Sequence, residues 1–180
     1  KKDIGSSSDF QRSYYLTLFY LEKVYGIKNF GYVPEDVEDL EDGIVDGSGD
    51  VGVDFFYKSD NKVTIIQTKY RSKGKKEDYN TIEHFLNCLA RLHPSNHKNY
   101  KINQDVKDCA SRINWKNDNF EMLFITLGSV DENSRAIINN PKIFIDGLPE
   151  INSRINAEIY DENDLNIELR DIEDYGESVG

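Results

Sequence analysis

Asp46-Gly-Ser-Gly-Asp50-Val-Gly-Val-Asp54-Phe-Phe-Tyr-Lys-Ser-Asp60-Asn61-Lys62-Val-Thr-Ile-Ile-Gln67-Thr-Lys69 is the stretch on which the reading of this chain turns. It begins as an acidic, glycine-rich loop, continues as a strand over residues 51–57, turns at Asp60-Asn61 and returns as a second strand over residues 62–70. Strand side chains alternate between faces, so Val63, Ile65, Gln67 and Lys69 point the same way. A two-residue loop at Asp60-Asn61 pairs Ser59 with Lys62 and Phe55 with Ile66, which sets Asp54 opposite Gln67. Directly opposed residues share a face, with Cβ atoms about 4.5–5.5 Å apart. One carboxylate, one amide oxygen and one ammonium then converge. A three-residue loop would shift the pairing by one and turn Asp54 away, and Asp-Asn specifies a hairpin less strongly than Asn-Gly.

The trio has a chemical logic. A carboxylate and an amide oxygen are hard donors suited to Mg²⁺ or Mn²⁺, and such an ion polarises a phosphodiester and acidifies a bound water. A lysine beside it can orient or deprotonate that water and stabilise developing negative charge. The competing reading is a surface ion pair between Asp54 and Lys69. Both strands carry apolar residues on both faces, however, and buried polar side chains need a reason.

Gly49-Asp50-Val-Gly-Val-Asp54, followed after twelve residues by Gln67-Thr-Lys69, resembles the core of the PD-(D/E)xK nuclease superfamily. More narrowly it is similar to the Q-x-K branches, the Mrr-like restriction endonucleases and the N-terminal domains of abortive phage infection (AIPR) proteins. The Ile-Gln-Thr-Lys-Tyr-Arg run is most similar to the latter. The resemblance implies an α/β fold with a restriction-endonuclease-like αβββαβ core, a central mixed sheet flanked by helices. It implies a metal-dependent endonuclease in an antiphage protein, with DNA favoured over RNA. Asp54 and Gln67 would hold Mg²⁺ (or Mn²⁺), joined by the backbone carbonyl of Thr68, and Lys69 would be the catalytic lysine. Superfamily members often carry a further acid on the first helix, for which Asp9 is the candidate; Gln11 follows Phe10 where Mrr-like proteins read Phe-Glu. Two departures stand out: Val53 occupies the place of a frequent proline, and Gln67 replaces an acid, removing one negative charge.

The surrounding residues extend the site. Asp50 shares strand parity with Asp54 and is a supporting ligand if the strand reaches that far, although Gly47 and Gly49 permit a bend instead. Lys69, Arg71, Lys73, Lys75 and Lys76 place five positive charges in eight residues. The run reads either as a solvated loop or as an edge on which Arg71, Lys73, Lys75 and Lys76 contact phosphates.

A net charge of −11 argues against a generic nucleic-acid-binding surface, yet the acids are clustered. Residues 35–50 hold eight acids and no base, and residues 158–177 hold nine acids and one base. With 180 residues, 38% hydrophobic content, 11 Tyr and 9 Phe, the composition fits one packed domain over residues 1–180. No apolar run reaches the 18 residues of a membrane span, and no signal-peptide core is present. The chain starts without Met, which suits a piece taken from the N-terminal part of a longer protein. Cys88 and Cys109 fall on apolar helix faces and read as buried thiols of a cytoplasmic protein.

Helical spacing predicts a first helix over residues 9–25, capped by Ser8 and closed by Gly26. A short strand over 27–33 follows. Beyond the basic run, helices are predicted over 78–92 and 102–113, a buried strand over 120–127 and a helix over 131–140. Residues 142–145 read as a strand or a covering loop, 148–155 as a short helix, 157–160 as an edge strand, and the tail from Asp161 as acidic and fraying after Leu169. His84, His93 and His97 lack zinc-site spacing and read as surface residues, with 93–97 a loop. Three functions remain in view: a nuclease domain, with the rest of its parent protein and a second copy of itself as candidate partners; the same fold binding nucleic acid or a protein partner without cutting; and an acidic interaction module.

Overall fold

The computed structural model describes residues 16–17, 45, 52–72 and 74–166. Residues 16 and 17 are helical, inside the predicted first helix; the rest of that helix, the 27–33 strand and the tail after residue 166 lie outside the described residues. Strands β1 (Phe55–Ser59) and β2 (Lys62–Lys69) form the predicted hairpin, with Ser59 opposite Lys62 and Phe55 opposite Ile66. Asp60 takes φ 52°, a left-handed conformation that Asp tolerates and a tight hairpin requires.

Three helices follow: α1 (Tyr79–Leu86), α2 (Cys88–Leu92) and α3 (Gln104–Ser111). The predicted single helix over 78–92 is broken at Asn87, whose side-chain amide donates to the Glu83 carbonyl and competes with the helical ladder. The predicted 93–97 loop is a 3₁₀ helix, Pro94–Asn99, started by Pro94 and capped by the His93 ring. Strand β3 (Asn119–Thr126), helix α4 (Glu132–Asn139), capped by Asp131, and strand β4 (Ile155–Tyr160) complete the order. Residues 162–166 add a short helical segment ahead of the predicted fraying point, which lies outside the described residues.

The sheet runs β1-β2-β3-β4. β1 is antiparallel to β2, and β3 and β4 join in parallel, so the fold is α/β with an open mixed sheet flanked by helices. Both faces of β2 and β3 are apolar, as expected of strands covered on two sides. On one face Phe56, Val63, Ile65, Phe120, Met122 and Phe124 join Ile82, Phe85, Leu89, Leu92, Val106 and Cys109 in one core. The Phe85 and Phe124 rings meet at 5.6 Å. On the other face Phe55, Ile66, Leu123 and Ile125 are equally buried, and Thr17 reaches across to the Thr68 hydroxyl. Among the described residues no helix is long and apolar enough to cross a membrane.

Residues 141–145 are a covering segment rather than a strand. Ile143 and Ile145 are buried while Phe144 is 78% exposed. Asn152 replaces a neighbouring strand: its amide accepts from Ile143 N–H and donates to Ile143 C=O, both at 2.8 Å. Asn152→Ala should leave both backbone groups unpaired and cost about 1–3 kcal/mol in denaturant unfolding. A loss below about 0.5 kcal/mol would show that the clamp is dispensable.

Candidate functional site

β2 carries the site because its buried stripe ends in polar residues. Val63, Ile65, Gln67 and Lys69 share one face: the first two enter the core, Gln67 is 5% exposed and Lys69 reaches partial exposure at the strand end. Gln67 lies level with Phe124 of β3. Thr68 points the other way, its hydroxyl held by Thr17.

Asp54 sits one residue before β1 and departs from the simple pairing expected of it. Its N–H bonds the carbonyl of Ile66, at 2.9 Å, although Phe55 is already the ladder partner of Ile66. Two residues thus face one, the arrangement of a bulge, which re-aims the side chain at the ladder end. The carboxylate lands on β2, where Oδ2 accepts the Thr68 N–H at 2.7 Å. This charge-assisted bond holds Asp54 on the segment that carries Gln67 and Lys69.

Gln67 presents a chemical anomaly. Its Oε1 is buried and has no hydrogen-bond partner among the described residues. An unpaired buried carbonyl costs about 1–3 kcal/mol, and a cation would relieve that cost. A carboxylate and an amide oxygen therefore fit the hard-donor set expected for Mg²⁺ or Mn²⁺. Among the described residues no three His, Cys, Asp or Glu side chains cluster as a metal site, so Asp54 is the only acid of the trio. His93 instead packs edge-on against Trp115, and burial together with His97 lowers its pKa. Asp9, Asp50 and Lys73, candidates in the sequence, lie outside the described residues.

The basic run is not a loose loop. Glu77 N–H bonds Ser129 C=O, Ser129 N–H bonds Lys75 C=O, and Lys76 bridges to Ser129, fixing the segment to the chain leaving β3. The approach is close at Gly128, where a Cβ would stand 2.7 Å from the Lys75 carbonyl. Arg71 makes a two-pronged pair with buried Glu77, at 2.9 and 3.1 Å, and Thr126 donates to the same carboxylate. Lys76 pairs with Asp131 at 2.8 Å. The fork of Arg71 is thus engaged within the protein, Lys76 shares its charge with an acid, and Lys75 is exposed.

Sequence reading missed two further groups, Gly52 and Arg91. Gly52 adopts φ +86°, a conformation natural to glycine, and a Cβ there would lie 3.2 Å from Gln67 Nε2, 3.7 Å from Arg91 Nη2 and 3.8 Å from His84 Cδ2. His84, Cys88 and Arg91 form a line next to the apolar stripe of Phe85, Leu89 and Leu92. The buried Cys88 beside Arg91 was the signal that the covered face is wider than the apolar pattern, whereas His84 is exposed, as expected of a surface histidine. Burial holds that thiol at about 12, which makes it inert. No family model, curated protein or solved structure matches the chain.

The Lys76 hydrogen bond, aided by Ser134, holds the Asp131 carboxyl down at about 2. A depressed carboxylate stabilises the fold above its unfolded pKa and loses that contribution as pH falls through the folded value. The tie between the basic segment and α4 should therefore persist at neutral pH and release between about pH 4 and pH 2. In an NMR titration Lys76→Ala should move the Asp131 midpoint up toward the ordinary carboxylate range. An unmoved midpoint would mean that Lys76 is not its partner.

Proposed function

We propose that the chain is a divalent-metal-dependent nuclease domain that hydrolyses phosphodiester bonds. The observation that carries this reading is the buried, unpartnered Gln67 Oε1 on the strand face it shares with Lys69, next to the point where Asp54 docks on β2. Asp54 and Gln67, with the Thr68 carbonyl, are the residues that would hold Mg²⁺ or Mn²⁺. Such an ion, when bound, supplies charge neutralisation at the phosphodiester and an acidified water. Lys69, at the partly exposed end of β2, orients or deprotonates the attacking water and stabilises negative charge on the phosphate oxygens. Lys75 and, outside the described residues, Lys73 are the remaining phosphate contacts of the basic run, with Lys76 and Arg71 contributing less because acids already engage them.

The antiparallel hairpin followed by helical crossovers to the parallel β3 and β4 is the part of the fold that supports the proposed nuclease core, although three helices separate β2 from β3 where an αβββαβ order has consecutive strands. The antiphage setting, and DNA rather than RNA as substrate, rest on the motif resemblance alone. A second reading, a nuclease fold that binds without cutting, is favoured by the site's charge: among its three residues one carboxylate faces one ammonium, a weak hold on a dication.

Lys69→Ala should reduce Mn²⁺-dependent cleavage by about 100-fold or more with an unchanged melting temperature. Circular DNA, linear DNA and RNA, each with Mn²⁺ or EDTA, are the substrates to compare. Unchanged turnover in Lys69→Ala would remove the lysine from the mechanism. Absence of cleavage by the native chain together with absence of Mn²⁺ binding heat would favour the second reading.

A further inference from the structure

Arg91 is a buried charge that the proposed chemistry leaves without a role. It lies on α2, 8% exposed, and burying a guanidinium costs several kcal/mol unless its donors are used. One donor goes to the His84 carbonyl at 2.5 Å, joining α2 to α1 across the break at Asn87. The same nitrogen stands 3.7 Å from the Cβ position of Gly52, where the Gln67 amide nitrogen also closes in at 3.2 Å and the His84 ring at 3.8 Å. Side chains from α1, α2 and β2 thus stand around a left-handed backbone turn two residues ahead of Asp54, where a Cβ would crowd the Gln67 amide. Since Gln67 turns Nε2 toward Gly52, its orphaned Oε1 faces away from that turn.

We propose that Arg91 is a positioning residue of the candidate site: its guanidinium backs the Gly52 turn against β2, so that Asp54 reaches the Thr68 N–H and the Gln67 amide keeps one orientation. The planar fork suits this task because a flat group can fill the space beside the turn while donating in its own plane to His84, whereas an ammonium donates from a point. The route runs from Arg91, beside the Gly52 turn, through Val53 to Asp54, and from Asp54 to Thr68. The catalytic consequence rests on the nuclease reading, whereas the positioning itself does not.

The Thr68 amide reports on the contact directly, because its proton lies in the bond to Asp54. In Arg91→Met of the full chain, hydrogen exchange at Thr68 should accelerate about tenfold or more while exchange at Leu123, in the middle of β3, stays unchanged. Arg91→Lys should recover part of the protection, and in both variants kcat for Mn²⁺-dependent cleavage should fall more than KM rises. Unchanged Thr68 exchange would overturn the proposal, and so would equal acceleration at Thr68 and Leu123, which marks general loosening. If Arg91→Met fails to fold, Arg91→Lys decides on the same two amides: selective acceleration at Thr68 supports the role and none refutes it. A native chain that neither cuts nor binds Mn²⁺ would defeat the nuclease reading, yet the exchange measurement would still decide on Arg91.

Discussion

When the Asp54 carboxylate accepts the Thr68 backbone N–H, a side chain from the entering loop becomes part of the second strand. The arrangement around it depends on that bond. β2 can present Gln67 and Lys69 on one face only because Thr68 turns the opposite way toward Thr17, and its N–H then lies in the strand plane, available to Asp54. The bulge at Asp54 brings the carboxylate onto that N–H where strict strand alternation alone would have set it against the Gln67 side chain. Burial strengthens such a bond and at the same time makes an unmatched group near it costly, which is the situation of Gln67 Oε1.

Much of this was legible in the residues. The hairpin register followed from a two-residue turn at Asp60-Asn61, and every ladder pair from Ser59–Lys62 to Phe55–Ile66 falls as the turn length requires. The apolar run over 120–127 became the central β3, since a strand covered on both sides needs no polar alternation. The bulge was not legible, because one residue's departure at a ladder end leaves no periodic trace. Nor was the burial of Arg91, which is covered by what faces it across space. Pattern reading assigns charged residues to solvent, and only tertiary contact reveals the exception.

Charge tells a similar story. Five cations in eight residues invite a phosphate-binding edge, but Arg71 and Lys76 meet Glu77 and Asp131, acids that are distant from them or unremarkable in the linear pattern. Glu77 is only 3% exposed and is also hydrogen-bonded by Thr126, so its pairing with Arg71 is part of how the segment is built. The basic run therefore serves first to fasten the exit of β2 to the exit of β3, and any contact with a polyanion falls mainly to Lys69, Lys75 and Lys73. That matches a chain whose net charge of −11 provides little long-range attraction for nucleic acid and would have to rely on a few local contacts.

The central claim is that Asp54 and Gln67 share one hard cation beside Lys69. A crystal structure of the chain grown with Mn²⁺ tests it most directly through the metal's anomalous signal. The account predicts one peak bonded to an Asp54 oxygen and to Gln67 Oε1 at roughly 2.0–2.4 Å, with Lys69 on the same side of the sheet. A site elsewhere, or a Gln67 Oε1 bonded to protein with no metal near it, would contradict it.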